Sequence, residues 1–298
     1  MSTLIDTLKE TTDTLTRGNV EQYPFIPRPT RSLPNMNTTR EMMHLVKALL
    51  FPGFFDDAGF NGHVTELHVD VHVSRLYSLL DEQIYRSFYF FGDGPGISEQ
   101  QSSALTLDFI KQLPEIKRLL ATDIKAVHDG DPAATSYGEV ICCYPAIQAM
   151  IYYRVAHELL RMNVPLLPRI ITELAHSTTG IDIHPGARIG EYFSIDHGTG
   201  VVIGETCIIG NHVRLYQGVT LGAKSFTLNN EGLPVNLPRH PIIEDNVIIY
   251  SNSTILGRIT IGHDSIIGGN IWQVYDVPPH SRVVQKRATS AFTDGLGI

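Results

Sequence analysis

An aliphatic residue returns at every sixth position through the C-terminal third of this chain. Ile183, Ile189, Ile195, Val201, Cys207, Val213 and Val219 hold the beat, and Ile243, Ile249, Ile255, Ile261 and Ile267 take it up again. A period of six is neither the 3.6 of a helix nor the 2 of an ordinary strand. It marks a parallel β-helix, in which each repeat is one short strand and one turn, and three repeats, roughly 18 residues, close a triangular coil. The beat residue points inward, where only an aliphatic side chain fits. The position four later is often small (Ala187, Thr199, Val247, Ser253, Ser265). Gly190, Gly262 and Gly268 follow beat residues, where a corner calls for a permissive backbone. Between Val219 and Ile243 the beat is lost. The polar stretch 224–237 reads as a loop thrown out from one corner, and such an excursion from a rigid prism is either functional or a tolerated insertion.

Upstream the pattern is helical. Helices are expected over 39–50, 66–91, 105–128 with an interruption at Pro114, 145–162, and a shorter one to about His176. Gly92 to Gly96 and Asp129 to Pro132 read as breaks. The chain is thus expected to be α+β: an all-helical domain over 1–177, a β-helix over 178–283 and a tail over 284–298. The β-helix cannot bury its own ends, so the helical half is expected to cap it.

Composition narrows the function. The formal net charge of −8 provides no general attraction for nucleic acid or an anionic membrane. No apolar run approaches the roughly 18 residues of a membrane span, and no secretory signal is evident at the N-terminus. Cys142, Cys143 and Cys207 show neither metal-ligand spacing nor a disulfide framework. A cytoplasmic protein is expected, with no nucleic-acid or membrane partner.

Polar residues gather on part of the prism. Asp182-Ile183-His184 opens it, Asp196-His197-Gly198-Thr199-Gly200 follows, and Arg239-His240-Pro241 closes the excursion. Asp131 lies in a turn upstream. His197 suits general-base work near neutral pH, and Asp182, taken to lie on the preceding coil, can fix its tautomer. That contact needs side-chain reach or a neighbouring subunit. Arg239 can fork onto a substrate carboxylate, and Asp131 and Asp196 can hold an ammonium group. Together they describe a site for a small zwitterion such as an amino acid. His184, His157, His212 and His263 are read as structural or solvated.

These motifs resemble the serine O-acetyltransferases. The resemblance runs from Asp131-Pro132-Ala133 through Tyr153-Arg154-Val155-Ala156-His157, Asp182 to Pro185, Asp196 to Thr206 and Gln217 to Gly222, to Arg239-His240-Pro241. It covers about 131–287. It implies a left-handed prism and transfer of acetyl from acetyl-CoA to L-serine. His197 would be the catalytic base and Asp182 its carboxylate partner. Asp131, Asp196, Arg239 and His240 would hold serine, and the backbone at Gly222 and Ala223 would lie along the coenzyme's pantetheine arm. It also implies a homotrimer or dimer of trimers with sites between prisms, inhibition by L-cysteine, and docking of a C-terminal isoleucine, here Ile298, into O-acetylserine sulfhydrylase. Two departures stand out: Ala223 where many members have glycine, and a long excursion.

Rival readings share the prism. An acetyltransferase for a sugar or antibiotic would not need Asp131 and Arg239. A zinc hydratase needs three ligands, but His184, His197, His212, His240 and His263 include no close pair, so no metal is expected. A non-catalytic scaffold of a sulfhydrylase would not need the intact Asp182, His197, Arg239 and His240.

Overall fold

The computed structural model describes residues 3–16, 33–55, 66–90 and 96–286. The glycine-rich break at 92–95 and the terminal Ile298 fall outside them. Among the described residues the helices are α1 (Leu4–Thr16), α2 (Met36–Leu50), α3 (Glu66–Phe90), α4 (Glu99–Gly130), α5 (Tyr137–Cys143), α6 (Pro145–Arg161) and α7 (Leu167–Thr179). The expected interruption at Pro114 does not occur, and α4 runs through it. A proline inside a helix removes one hydrogen bond, at a cost of about 3 kcal/mol. Here the stripe of Phe109, Leu113, Ile116, Leu120 and Ile124 is buried on both sides of Pro114 and outweighs that loss. Ser98 starts α4 with a reciprocal capping box to Gln101.

After α7 the chain winds into a left-handed parallel β-helix of about five coils. The first coil holds β1 (Asp182–Ile183), β2 (Arg188–Ile189) and β3 (Ser194–Asp196). The second holds β4 (Val202–Ile203), β5 (Ile208–Ile209) and β6 (Arg214–Tyr216). The third holds β7 (Thr220–Gly222), β8 (Ile242–Ile243) and β9 (Ile248–Ile249). The fourth holds β10 (Thr254–Leu256), β11 (Thr260–Ile261) and β12 (Ile266–Ile267), and β13 (Trp272–Gln273) and β14 (Arg282–Val283) finish the prism. Face one stacks β1, β4, β7, β10 and β13. Face two stacks β2, β5, β8 and β11, and face three stacks β3, β6, β9, β12 and β14.

The register corrects the six-residue beat. Asp182 pairs with Val202, twenty residues on, whereas Val202 pairs with Thr220, eighteen on. The first coil therefore carries two extra residues. Its inward strand residues are Ile183, Ile189 and Ile195, but the second coil continues with Ile203, Ile209 and Leu215, and the third opens with Leu221. Val201, Cys207, Val213 and Val219 are also buried, but two positions earlier, beside the turns. Two apolar registers overlap in the sequence, and a beat read straight through crosses from one to the other. Of the small residues four after the beat, Thr199 is exposed because it falls in the widened corner.

The corner glycines also differ from expectation. Gly190, Gly262 and Gly268 do not have positive φ. A Cβ on Gly190 would meet the Gly210 carbonyl oxygen at 2.7 Å, and one on Gly262 the Pro279 nitrogen at 2.4 Å. Glycine is required there because stacked coils approach closely, not because the turn is left-handed.

The helical half grips the prism through α4 and α6. Arg154 donates to both carboxylate oxygens of Asp123 and to the carbonyls of Ile189 and Gly190, at 2.6–3.2 Å. Asp123 also accepts from the Phe193 amide. Burial pushes the Asp123 carboxyl up to about 6, against the pull of Arg154. The Tyr153 hydroxyl donates to the Ala187 carbonyl at 2.7 Å, and His157 bonds the Pro185 carbonyl. This seam fixes the end of α4, and with it Asp131, against the first coil.

Candidate active site

The two extra residues of the first coil fall at the corner between faces three and one. There Gly200 stands beside Gly218 of the next coil, in the left-handed conformation that Gly218, Asn252 and Asn270 take on successive coils. His197 and Gly198 form an additional pair with positive φ, 56° and 96°. Left-handed backbone is uncommon for residues other than glycine, though histidine and asparagine are enriched in it. A Cβ on Gly198 would strike Ile181, so only glycine turns the chain here. The widened corner pushes His197 outward, and its side chain is 75% exposed.

Three elements converge beside it. Asp196 ends β3, with its Oδ1 3.7 Å from His197 Nε2. Asp131 follows α4, and its carboxylate takes the Tyr144 hydroxyl at 2.6 Å and the Ala133 amide at 2.8 Å. The tyrosine bond first, then the amide, holds the Asp131 carboxyl below the usual carboxylate range, and it pushes the Tyr144 hydroxyl up to about 12. Arg214 on β6 donates to the Gly130 carbonyl at 3.0 Å and anchors the turn that presents Asp131. A small cavity lies between these groups, lined by Val127, Gly130, Asp131, Tyr144, Asp196 and Arg214.

Asp182 opens β1 on the same coil as His197, not the preceding one, and its amide donates at 2.9 Å to the carbonyl of Val201, in the corner segment that follows His197. Its carboxylate groups with Glu173 and His176 of α7, their ligand atoms within 4.8 Å of one another. Within one chain the carboxylate in ion-pair range of His197 is that of Asp196.

The second half of the predicted set stands at the corner between faces one and two, where the excursion leaves after Gly222 and returns before β8. Thr206 organises it. Its hydroxyl accepts the Arg239 and His240 amides at 2.9 and 3.1 Å. Its oxygen is 2.9 Å from His240 Nδ1, which also accepts the Thr206 amide. With Nδ1 occupied as an acceptor, a neutral His240 carries its proton on Nε2. Burial first, then the charge of Arg239, holds the His240 pKa below its ordinary value. Arg239 donates to Glu205 at 2.6 Å and to Asn236 at 2.9 Å. Burial would raise the Glu205 carboxyl, but the bonds from Arg239 and Asn236 outweigh it and leave it lowered. A Cβ on Gly204 would fall 2.1 Å from His240 Cδ2, so glycine makes room for the ring. Gly222 packs against Leu256, and its carbonyl takes the Gly257 amide. Ala223 follows it at the mouth of the excursion.

The structure thus brings Asp131, Asp196 and His197 together at one corner. It brings Arg239, His240, Gly222 and Ala223 together at another. The two sets lie at opposite edges of face one. Thr206, Glu205 and Tyr144 are contributors that the sequence reading did not single out. Thr206 and Glu205 lie within the matching motif, but only the stacking of coils places them under Arg239. Cys207 is buried, with its thiol pushed up to about 12 by burial, and is no nucleophile.

No protein-family model matches the sequence. A serine acetyltransferase of Synechococcus elongatus, described as the plasmid one, is 46% identical over 275 residues, which cover 89% of this chain and 86% of that protein. This chain belongs to the serine acetyltransferase family. The family's Bacillus subtilis member is 47% identical over 167 residues, covering 56% of this chain and 73% of its own. Among solved structures, the family's isoform 3 from Entamoeba histolytica, in complex with cysteine, matches with a TM-score of 0.74 and 33% identity, covering 97% of this chain and 94% of that one. The soybean serine acetyltransferase complexed with serine matches at 0.54 and 27%, covering 84% and 96%.

Proposed function

We propose that the protein is a serine O-acetyltransferase that carries acetyl from acetyl-CoA to L-serine, releasing O-acetylserine and CoA, the first step toward cysteine. His197 accepts the proton of the serine hydroxyl as that oxygen bonds to the thioester carbonyl carbon. The C–S bond then breaks, and His197 returns the proton to the departing thiolate. No acyl-enzyme is needed. Asp131 and Asp196 hold the serine ammonium, and Arg239 with His240 holds its carboxylate. The backbone at Gly222 and Ala223 borders the pantetheine arm.

The observation that carries this reading is the division of a zwitterion's two partners between corners of one prism. A cyclic homotrimer, alone or paired into a hexamer, would set one protomer's His197 corner against the next protomer's Arg239 corner. Asp182, from the same or the neighbouring protomer, is the carboxylate that braces His197 and stabilises the imidazolium. L-cysteine, with the same ammonium and carboxylate and a thiol for the hydroxyl, fits as an inhibitor at this site. Ile298 is proposed to dock an O-acetylserine sulfhydrylase. Among the described residues no helix is long and apolar enough to cross a membrane, and we place the enzyme in the cytoplasm.

The test is CoA release from acetyl-CoA with L-serine, L-homoserine or a sugar acceptor, with and without L-cysteine. Serine-dependent release that falls by roughly 10²–10⁴ in kcat in His197→Ala is expected. No serine-dependent release from the wild type would favour the scaffold reading, and an unchanged kcat would remove His197 from its role.

A further inference from the structure

The third corner, between faces two and three, takes part in neither half of the proposed site. Tyr192, His212, Asn246, Asp264 and His280 fill its left-handed position in five successive coils, with φ between 56° and 60°. Backbone bonds lock the ladder: Asn246 donates to the Asn211 carbonyl, Asp264 to that of Asp245 and His280 to that of His263. Side chains one coil apart therefore meet in register. Tyr192 and His212 stack with ring centroids 4.4 Å apart. Toward the C-terminal end the same stacking assembles polar groups instead. Asp264 Oδ2 accepts from His263 Nδ1 at 2.7 Å and stands 3.6 Å from His280 Nδ1. The two imidazoles meet edge to face at 88°. The ligand atoms of His263, Asp264 and His280 all lie within 4.8 Å of one another.

We infer that His263, Asp264 and His280 form a binding site for a divalent transition-metal cation of the zinc class. Two imidazoles and one carboxylate suit zinc, cobalt or nickel rather than magnesium or calcium, which prefer oxygen alone. Ligand atoms on a tetrahedral zinc ion stand roughly 3.3 Å apart, given bonds of about 2.0–2.1 Å. The two distances from Asp264 bracket that spacing. At 3.6 Å the His280 contact is too long for a hydrogen bond but open to a shared cation. The surroundings orient the ligands. Asn246 Nδ2 donates to Asp264 Oδ1 at 3.0 Å, turning the other oxygen toward the imidazoles, and the His263 amide is held by Glu244 at 2.8 Å. Asp264 and His280 are exposed, so water would complete the coordination. The cation would tie the fourth coil to the fifth and close the C-terminal end of the prism. The spacing in sequence gives no sign of this, because His280 reaches His263 only through stacking.

Metal-free full-length protein titrated with Zn²⁺, and with Co²⁺ to read the ligand-field spectrum, tests the assignment. His280→Asn and Asp264→Asn keep a residue that tolerates left-handed backbone, so both should fold. His176→Ala controls for the Glu173–His176–Asp182 group. Zn²⁺ binding at least tenfold weaker in His280→Asn and Asp264→Asn than in the wild type and His176→Ala is expected, with a Zn²⁺-induced rise in Tm lost in the first two. Affinity unchanged in both, affinity weakened only by His176→Ala, or no binding by the wild type would each overturn it. None of these readouts depends on acetyl transfer.

Discussion

Arg154 and Arg239 each hold a carboxylate at bonding distance, but in opposite surroundings. The side chains of Arg154 and Asp123 are 5% and 0% exposed, in the seam between helices and prism. The Arg154 guanidinium is occupied by Asp123 and two carbonyls. Arg239 and Glu205 sit at a prism corner, 23% and 28% exposed. The Nε of Arg239 has no hydrogen-bond partner. A cation whose bonds all close inside the fold fixes geometry. One that keeps an enclosed donor without a partner, at a partly exposed corner, is suited to turn onto a ligand, since a buried polar group left unsatisfied is otherwise costly.

The sharpest way to break this comparison is to remove one partner from each pair. Asp123→Ala should cost about 3–5 kcal/mol of stability, because it strands a buried guanidinium. The urea midpoint measures it, and a loss no larger than that of a surface substitution would deny the seam its structural role. Arg239→Ala should change stability by less than about 1 kcal/mol, as expected of a partly exposed pair. It should instead raise the serine KM roughly tenfold to a hundredfold, the equivalent of a charged hydrogen bond worth about 1.5–3 kcal/mol. An unaltered KM for serine would mean that Arg239 belongs with Arg154 as a structural cation.

The same contrast separates what could be read in the sequence from what could not. The prism announces itself because its inward positions accept only aliphatic side chains, a constraint written on every coil. The chemical residues are visible because an imidazole beside a glycine-rich turn, and an Arg-His pair between prolines at the end of the excursion, are unusual in such a pattern. The register slip at His197 and Gly198 was hidden. Val201 and Ile203 are both apolar and both buried, so either continues a period of six. The shift shows only in the pairing of the first coil with the second, as of Asp182 with Val202 and Ser194 with Arg214, and it is this slip that opens the corner for His197. Asp123 was unreadable for another reason. A lone aspartate on α4 reads as a surface residue, and its partner is 31 residues away. Thr206 and Glu205 likewise meet Arg239 across more than 30 residues of chain.

Smaller perturbations at the Arg239 corner sharpen the comparison further. Thr206→Val leaves the Arg239 and His240 amides without their acceptor, and unmade hydrogen bonds of that kind cost about 1–3 kcal/mol. Stability should fall by that amount, and the serine KM should rise less than in Arg239→Ala, because the guanidinium remains but is less well held. A Thr206→Val enzyme with wild-type stability and KM would show that Arg239 and His240 are positioned by the coil alone.

The smallest effect is one of pH. His184 stands at the same corner, and burial first, then the charge of Arg169, pushes its pKa down to about 4 from the ordinary 6.5. Its Nδ1 accepts the Gly186 amide, which requires the neutral ring. An unfolded chain takes up a proton near pH 6.5, and the folded chain does not do so until about 4. The stabilisation from His184 is therefore complete above pH 6.5, declines as pH falls through that window and levels off below about 4. His184→Asn keeps an acceptor for Gly186 and removes the titration. The difference in urea midpoint between wild type and variant should narrow or reverse on acidification from pH 7 to 4. Parallel curves across that range would show that this corner, unlike the seam, does not hold its polar groups tightly enough to exclude a proton.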